Sequence, residues 1–225
     1  MRVLVIDTAL DACTAGVFEN GVPLGLRSEV MARGHSERLG GFVRDAVAEA
    51  GGGFEAIDRI GVTVGPGSFT GLRVGLAFAQ GLGAALERPV VGVSTLSALA
   101  RSADQGHGAT AAVIDARRGQ VYVQTFVDGR ATSDPQALDL EAATGLLAQG
   151  GPWRLAGSGA ALIDPDADPD AGALTALSAE ALAGLTVLLD PADHPPRPLY
   201  LRAPDATPPT RLPGQARPVA TPSGA

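Results

Sequence analysis

The chain has 225 residues, a mass of 22.6 kDa and 45% hydrophobic content, enough for one domain of moderate size or two small ones with proper cores. Its 17 Lys and Arg stand against 24 Asp and Glu for a net charge of −7, which excludes a protein that grips nucleic acid through a broad basic face. One cysteine, Cys13, rules out an internal disulfide, and the apolar run at residues 3–6 is too short for a signal peptide, so the expectation is a cytoplasmic protein with no membrane span.

Val3-Leu4-Val5-Ile6-Asp7-Thr8 is an apolar, β-branched run ending in a polar pair, the pattern of a central strand that delivers Asp7 and Thr8 to a sheet edge. Cys13 to Glu19 alternate weakly and run into Asn20-Gly21, a strong hairpin signal, after which Val22 to Val30 return. From Ser36 the apolar residues Leu39, Phe42, Val43, Ala46, Val47 and Ala50 step by three and four and stop at Gly51-Gly52-Gly53. That spacing predicts an amphipathic helix over 36–50 with Ser36 as its N-cap. Ile60 to Val64 reads as a buried strand, and Gly65-Pro66-Gly67-Ser68 turns it into a helix over 69–86 capped by Ser68 or Thr70. Along that helix Gly71, Gly75, Ala79 and Gly83 form a row almost bare of side chains. A helical glycine costs about 1 kcal/mol relative to alanine, so the row implies that another backbone comes close. Pro89 to Val93 make a further strand, and Ser94 or Thr95 caps a short helix to Ala100.

An internal echo organises the second half of the chain. Val5-Ile6-Asp7-Thr8-Ala9 with Asn20-Gly21 is matched by Val113-Ile114-Asp115-Ala116-Arg117 with Asp128-Gly129, the aspartate lying 14 residues before the hairpin glycine in both. The second copy continues with strand 120–126, a helix over 140–149, strand 153–156, a turn at Gly157-Ser158-Gly159-Ala160, and a helix over 176–189. Two facing βββαβα units describe an α/β protein of actin/Hsp70-like (ASKHA, ribonuclease H-like) architecture, in which a nucleotide lies between the lobes. The expected division is a lobe over 1–104, a smaller one over 105–202 with a linker at Arg101 to Gly108, a short strand at Leu199-Tyr200-Leu201-Arg202, and a Pro-rich tail over 203–225 expected to be disordered.

Asp7, Thr8 and Asp115 are the candidate anion or Mg²⁺ contacts of such a cleft, with Arg117 and Arg118 the cations beside the second hairpin. A phosphate-gripping hairpin needs free backbone amides, usually supplied through glycine, and Ala9-Leu10-Asp11-Ala12 offers none while adding a carboxylate. Gly67-Ser68-Phe69-Thr70 opens a helix but lacks the Gly-Lys-Ser/Thr ending of a phosphate loop. His35 has Leu39 at i+4 rather than a second ligand, and Cys13 has no His nearby in sequence, so neither a metal, a cofactor nor a nucleophile is expected. A small ATPase or phosphotransferase using Asp7, Thr8 and Asp115, and a glycoprotease-like hydrolase, remain alternatives.

Ile6-Asp7-Thr8-Ala9, His35-Ser36, the block Gly65-Pro66-Gly67-Ser68-Phe69-Thr70-Gly71-Leu72-Arg73-Val74-Gly75, Gly92-Val93-Ser94-Thr95-Leu96, Ile114-Asp115-Ala116-Arg117-Arg118 and Pro198-Leu199-Tyr200-Leu201-Arg202 together resemble the bacterial TsaB (YeaZ) family. The resemblance implies an actin/Hsp70-like fold with a degenerate nucleotide cleft. It also implies a non-catalytic subunit of the machinery that makes N6-threonylcarbamoyladenosine at position 37 of ANN-decoding tRNAs, docking on a TsaD-type catalytic subunit that a TsaE-type ATPase joins. Self-association when alone, and contact with tRNA only through the complex, are further implications. The family's docking surface would lie on the first two helices, here Ser36, Leu39, Phe42, Val43 and Ala46 with Phe69, Gly71, Leu72, Gly75, Leu76, Ala79 and Gly83, the bare glycine row meeting the partner.

Overall fold

A sheet rich in parallel strands must be covered on both faces, and the chain supplies the covers in two rounds. The computed structural model describes residues 1–31, 33–104, 107–166 and 177–202. In the first round β1 (Arg2–Asp7), β2 (Ala12–Glu19) and β3 (Val22–Val30) form an antiparallel meander. After α1 (His35–Ala50) come β4 (Arg59–Gly65), α2 (Phe69–Leu86) and β5 (Val90–Ser94), giving a sheet of order β3-β2-β1-β4-β5 in which β1, β4 and β5 run parallel. α3 (Thr95–Asp104) leads to the second round, β6 (Ala109–Arg117), β7 (Gln120–Val127), β8 (Arg130–Ala131), β9 (Gln136–Asp139), α4 (Leu140–Ala148), β10 (Arg154–Ala156) and α5 (Ala160–Ile163). Its sheet has the order β10-β6-β7-β8, with β9 also on β7 and β10 parallel to β6. The duplicated topology read from the aspartate–hairpin echo is therefore real. Both hairpins turn as expected: Asn20 and Gly21 have φ of 52° and 81°, Asp128 and Gly129 of 48° and 72°, the two left-handed residues that a two-residue hairpin favours.

Three apolar clusters fill an α/β/α/β/α stack of actin/Hsp70-like type. Leu4, Ile6, Val17 and Ile60 of the first sheet pack under α1 and α2. The inner faces of both sheets, with Val5 and Phe18 on one side and Ile114 and Phe126 on the other, close over α3 and a last helix, α6 (Ala179–Leu188). Val113, Val121 and Val123 pack against α4. α6 is seated tightly: a side chain at Gly61 of β4 would run into Thr186, and Arg59 donates to the carbonyls of Thr186, Val187 and Leu189 at 3.0, 3.3 and 3.0 Å, satisfying the free end of the helix. The segment 177–202, read from sequence as part of the second lobe, thus lies largely on the first sheet.

Several local expectations are corrected. α1 starts at His35 behind a left-handed Gly34 (φ 92°), so Ser36 falls inside the first turn and its hydroxyl meets Glu37 instead of capping. Ser68 does cap α2, its Oγ accepting from Gly71 N at 3.2 Å. α2, at 18 residues, is long and apolar enough by length and composition to cross a membrane, and its apolarity is used in packing on the sheet. α3 continues to Asp104, into the stretch expected as linker. The helix expected from 176 begins at Ala179, capped by Ser178, and position 176 lies outside the described residues. The strand expected at Leu199 to Arg202 joins no ladder: Leu199 N donates to Val64 O at 2.7 Å, while Pro195, Pro196 and Pro198 have no amide to give. β8, β9 and α5 had no counterpart in the sequence reading, and the tail over 203–225 lies outside the described residues.

From His194 to Arg202 the chain forms a strap across the molecule. Gly92 N of β5 donates to His194 O at 2.8 Å, Gln80 of α2 donates to Pro196 O at 2.6 Å, and Arg202 donates to Ala116 O of β6 at 3.0 Å.

Candidate functional site

The cleft between the lobes is where the fold would hold a nucleotide. It is an open space of about 550 Å³ lined among others by Leu10, Asp11, Ser68, Asp115, Arg117 and Ser158. Asp7 ends β1 beneath it and is 1% exposed. Its Oδ1 accepts from Ala9 N at 2.9 Å and from Thr63 Oγ1 at 2.8 Å. Burial pushes its carboxyl above the ordinary value, outweighing those hydrogen bonds, and Oδ2 has no protein partner. Thr8 donates its hydroxyl to Gly71 O at 2.7 Å, which ties the end of β1 to α2. Asp115 repeats the turn in the second lobe, accepting from Arg117 N at 2.7 Å, while its own amide donates to Ser158 Oγ at 3.1 Å.

Several amides around the two aspartate turns and the start of α2 are engaged inside the chain. Ser68 N donates to Ala9 O at 2.7 Å, Gly71 N to the Ser68 hydroxyl, and Leu72 N to Ser68 O at 2.9 Å, so α2 is capped from within the chain. Two carboxylates, Asp11 and Asp115, line the same space, and the Arg117 guanidinium sits 3.5 Å from Asp115. Arg117 and Arg118 shape the β6–β7 turn with left-handed φ of 64° and 57°. Cys13 is buried, and burial together with the nearby Asp7 carboxylate pushes its thiol up to about 11, the opposite of what a nucleophile needs. Among the described residues no three His, Cys, Asp or Glu side chains gather where they would hold a metal ion.

The helix face reads differently from the sequence expectation. A side chain at Gly71 would strike the Thr8 carbonyl, one at Gly75 the Thr8 hydroxyl, and one at Gly83 the Val90 side chain. The bare row is pressed against the chain's own β1 and β5, so it is not a surface for a partner. Leu39, Phe42, Val43 and Ala46 of α1, and Leu72, Leu76 and Ala79 of α2, are buried over the same sheet. Of the twelve expected interface residues, Ser36 and Phe69 are exposed. What the two helices offer outward is a second small-residue row, Ala77, Gly81 and Ala84 on α2, with Gly40 of α1 facing the Phe78 ring where the helices meet. This outer row also steps by three and four in the sequence, and was masked by the more conspicuous glycines.

Sequence reasoning also missed a cluster at the start of α2. Phe69 and Tyr200 are 50% and 45% exposed, with ring centroids 5.5 Å apart. The Arg73 guanidinium lies 3.9 Å over the Phe69 ring, and its Nε donates to the Tyr200 hydroxyl at 3.3 Å.

Comparison with known proteins fits this frame. The family model described as TsaD, tRNA N6-adenosine threonylcarbamoyltransferase, matches residues 22–162. The solved structure of YeaZ from Pseudomonas aeruginosa superposes with a TM-score of 0.70 at 32% identity, over 89% of this chain and 99% of that one. The chain belongs to the TsaB/YeaZ branch of that family. An uncharacterized protein of Mycobacterium tuberculosis is 39% identical over 213 residues, 92% of this chain and 94% of its own length. A TsaB of Escherichia coli, whose name is tRNA threonylcarbamoyladenosine biosynthesis protein, is 41% identical over 124 residues, 54% of this chain and 53% of its own length. The likeness to that TsaB/YeaZ member therefore spans about half of each chain.

Proposed function

We propose that the chain is a non-catalytic docking subunit in the formation of threonylcarbamoyladenosine at position 37 of ANN-decoding tRNAs. It binds a TsaD-type transferase subunit through the outward face of α1 and α2, and a TsaE-type ATPase joins the pair. Alone it pairs with a second copy through the same face, it meets tRNA by way of the complex, and it works in the cytoplasm. The observation that carries this reading is that Ala9 N, Ser68 N, Gly71 N and Leu72 N are bonded within the chain, whereas the outer row Ala77, Gly81, Ala84 is exposed and smooth. A helix with such a row lets another helix come close without opposing side chains.

Reconstitution of tRNA modification with the TsaD-type and TsaE-type subunits tests it, with and without this chain. Modification that requires the chain supports the reading, and modification at full rate without it sinks it. Gly81→Arg is the surface variant to use, since nothing lies within 4 Å of a side chain added there and the fold is spared. Co-purification with the TsaD-type subunit is expected to be lost. ATP turnover by the chain alone that vanishes in Asp7→Ala would instead favour a phosphotransferase.

A further inference from the structure

Of the features outside the cleft, the cluster at the start of α2 is the one built for a ligand of definite chemistry. We infer that Arg73 is a preorganised anchor for a carboxylate, an Asp or Glu side chain of the protein that docks on α2. The inference rests on the docking reading above and adds the recognition chemistry at one end of that surface. Three observations carry it. The guanidinium lies over the Phe69 ring and is held at Nε by Tyr200, so it is positioned before any partner arrives. Arg73 is exposed, and none of the ion pairs among the described residues involves it, which leaves its terminal nitrogens as an open fork. Phe69 and Tyr200 are half-exposed rings flanking that fork, the residue types that anchor protein interfaces when an apolar group covers them.

A planar fork with two parallel N–H donors matches a carboxylate bidentately, and fixing it beforehand removes most of the entropy that a free arginine loses on pairing. An RNA phosphate would fit the same fork, but the chain's net charge is −7 and the adjoining cleft sets Asp11 and Asp115 against one cation, Arg117, so the surrounding field opposes a polyanion. A lone acidic side chain brings a single charge, so the same field opposes it far less.

The test is a titration of the full chain against its own organism's TsaD-type subunit, with tRNA binding by the chain alone measured in parallel. Arg73→Gln keeps much of the stem over Phe69 and is expected to weaken binding about tenfold or more, the equivalent of about 1.4 kcal/mol. Arg73→Lys restores the charge without the fork and is expected to recover only part of the loss. Tyr200→Phe, which frees Nε, is expected to weaken binding severalfold. Unchanged affinity in Arg73→Gln, or full recovery in Arg73→Lys, overturns the inference while leaving the docking reading in place. Failure of the unsubstituted chain to bind overturns both. If Arg73→Gln lowers tRNA binding and leaves protein affinity intact, the anchor serves a phosphate and the carboxylate assignment is wrong.

Discussion

The two lobes are built on one turn and use it differently. In each, an aspartate at or near the end of the first strand accepts at Oδ1 from the amide two residues on, Ala9 in one and Arg117 in the other. In each, a glycine with nearly the same left-handed φ, 113° at Gly65 and 112° at Gly157, starts the passage from the parallel strand to the next helix. Beyond that frame they part. Asp7 is sealed in and linked to Thr63 across the sheet, whereas the Asp115 side chain keeps 27% of its surface open. The helix after the turn runs for 18 residues in the first lobe and four in the second. The same turn leads to a long helix in the first lobe and to a single short one in the second.

The sharpest way to break that contrast is at the seat of α2. Gly75→Val drives a branched side chain into Thr8 Oγ1, and a loss of about 3 kcal/mol in urea unfolding is expected. Next comes Asp7→Ala, which leaves the Ala9 amide and Thr63 hydroxyl without their acceptor inside the protein. It should cost about 2–3 kcal/mol, and Asp115→Ala in its more open turn under about 1 kcal/mol. Equal costs would mean that the two turns are equivalent after all.

Asp7 also makes stability depend on pH. Because its carboxyl is raised above 3.8, the folded protein holds that proton more tightly than the unfolded chain does. Its contribution is therefore fullest below the unfolded value near about 4 and is lost as pH rises through the raised folded value. Asp7→Asn lacks this titration, so its urea midpoint relative to the unsubstituted chain is expected to improve steadily from about pH 4 upward. A constant difference would show that Asp7 is not raised. Smaller still, Ser68→Ala should cost about 1 kcal/mol through the lost cap. Gly145→Ala on α4, where nothing lies within 4 Å, should raise stability by about 0.5–1 kcal/mol, opposite in sign to the change at Gly75.

Much of the fold was legible because it is written in local patterns. Asn20-Gly21 and Asp128-Gly129 specify hairpins by turn chemistry alone, and the apolar steps from Leu39 to Val47 specify one face of α1. The site was legible in part. Asp7 and Asp115 do stand at the matching turns that the echo pointed to, each bonding the amide two residues on. The direction of the row Gly71, Gly75, Ala79, Gly83 was not legible, because small residues mark close approach without saying by what. Here the approaching body is β1 with Thr8, a neighbour 63 residues away from Gly71 in the chain. Tyr200 could not be placed beside Phe69 for the same reason, since only the strap brings them together. Short elements such as β8 and α5, two and four residues long, carry too little pattern to register.

The position of α6 and the strap has a bearing on how the protein is made. A ribosome that has released the first hundred residues has delivered every strand of the first sheet, along with α1 and α2 for its outer face. Val5 and Phe18 on the inner face still await Leu182 and Ala183, close to the last of the described residues to emerge. The first lobe thus completes its core only after the second has been synthesised, so the sheet that carries α1 and α2 gains its final support near the end of translation, and a truncated chain would leave that sheet on an unfinished base.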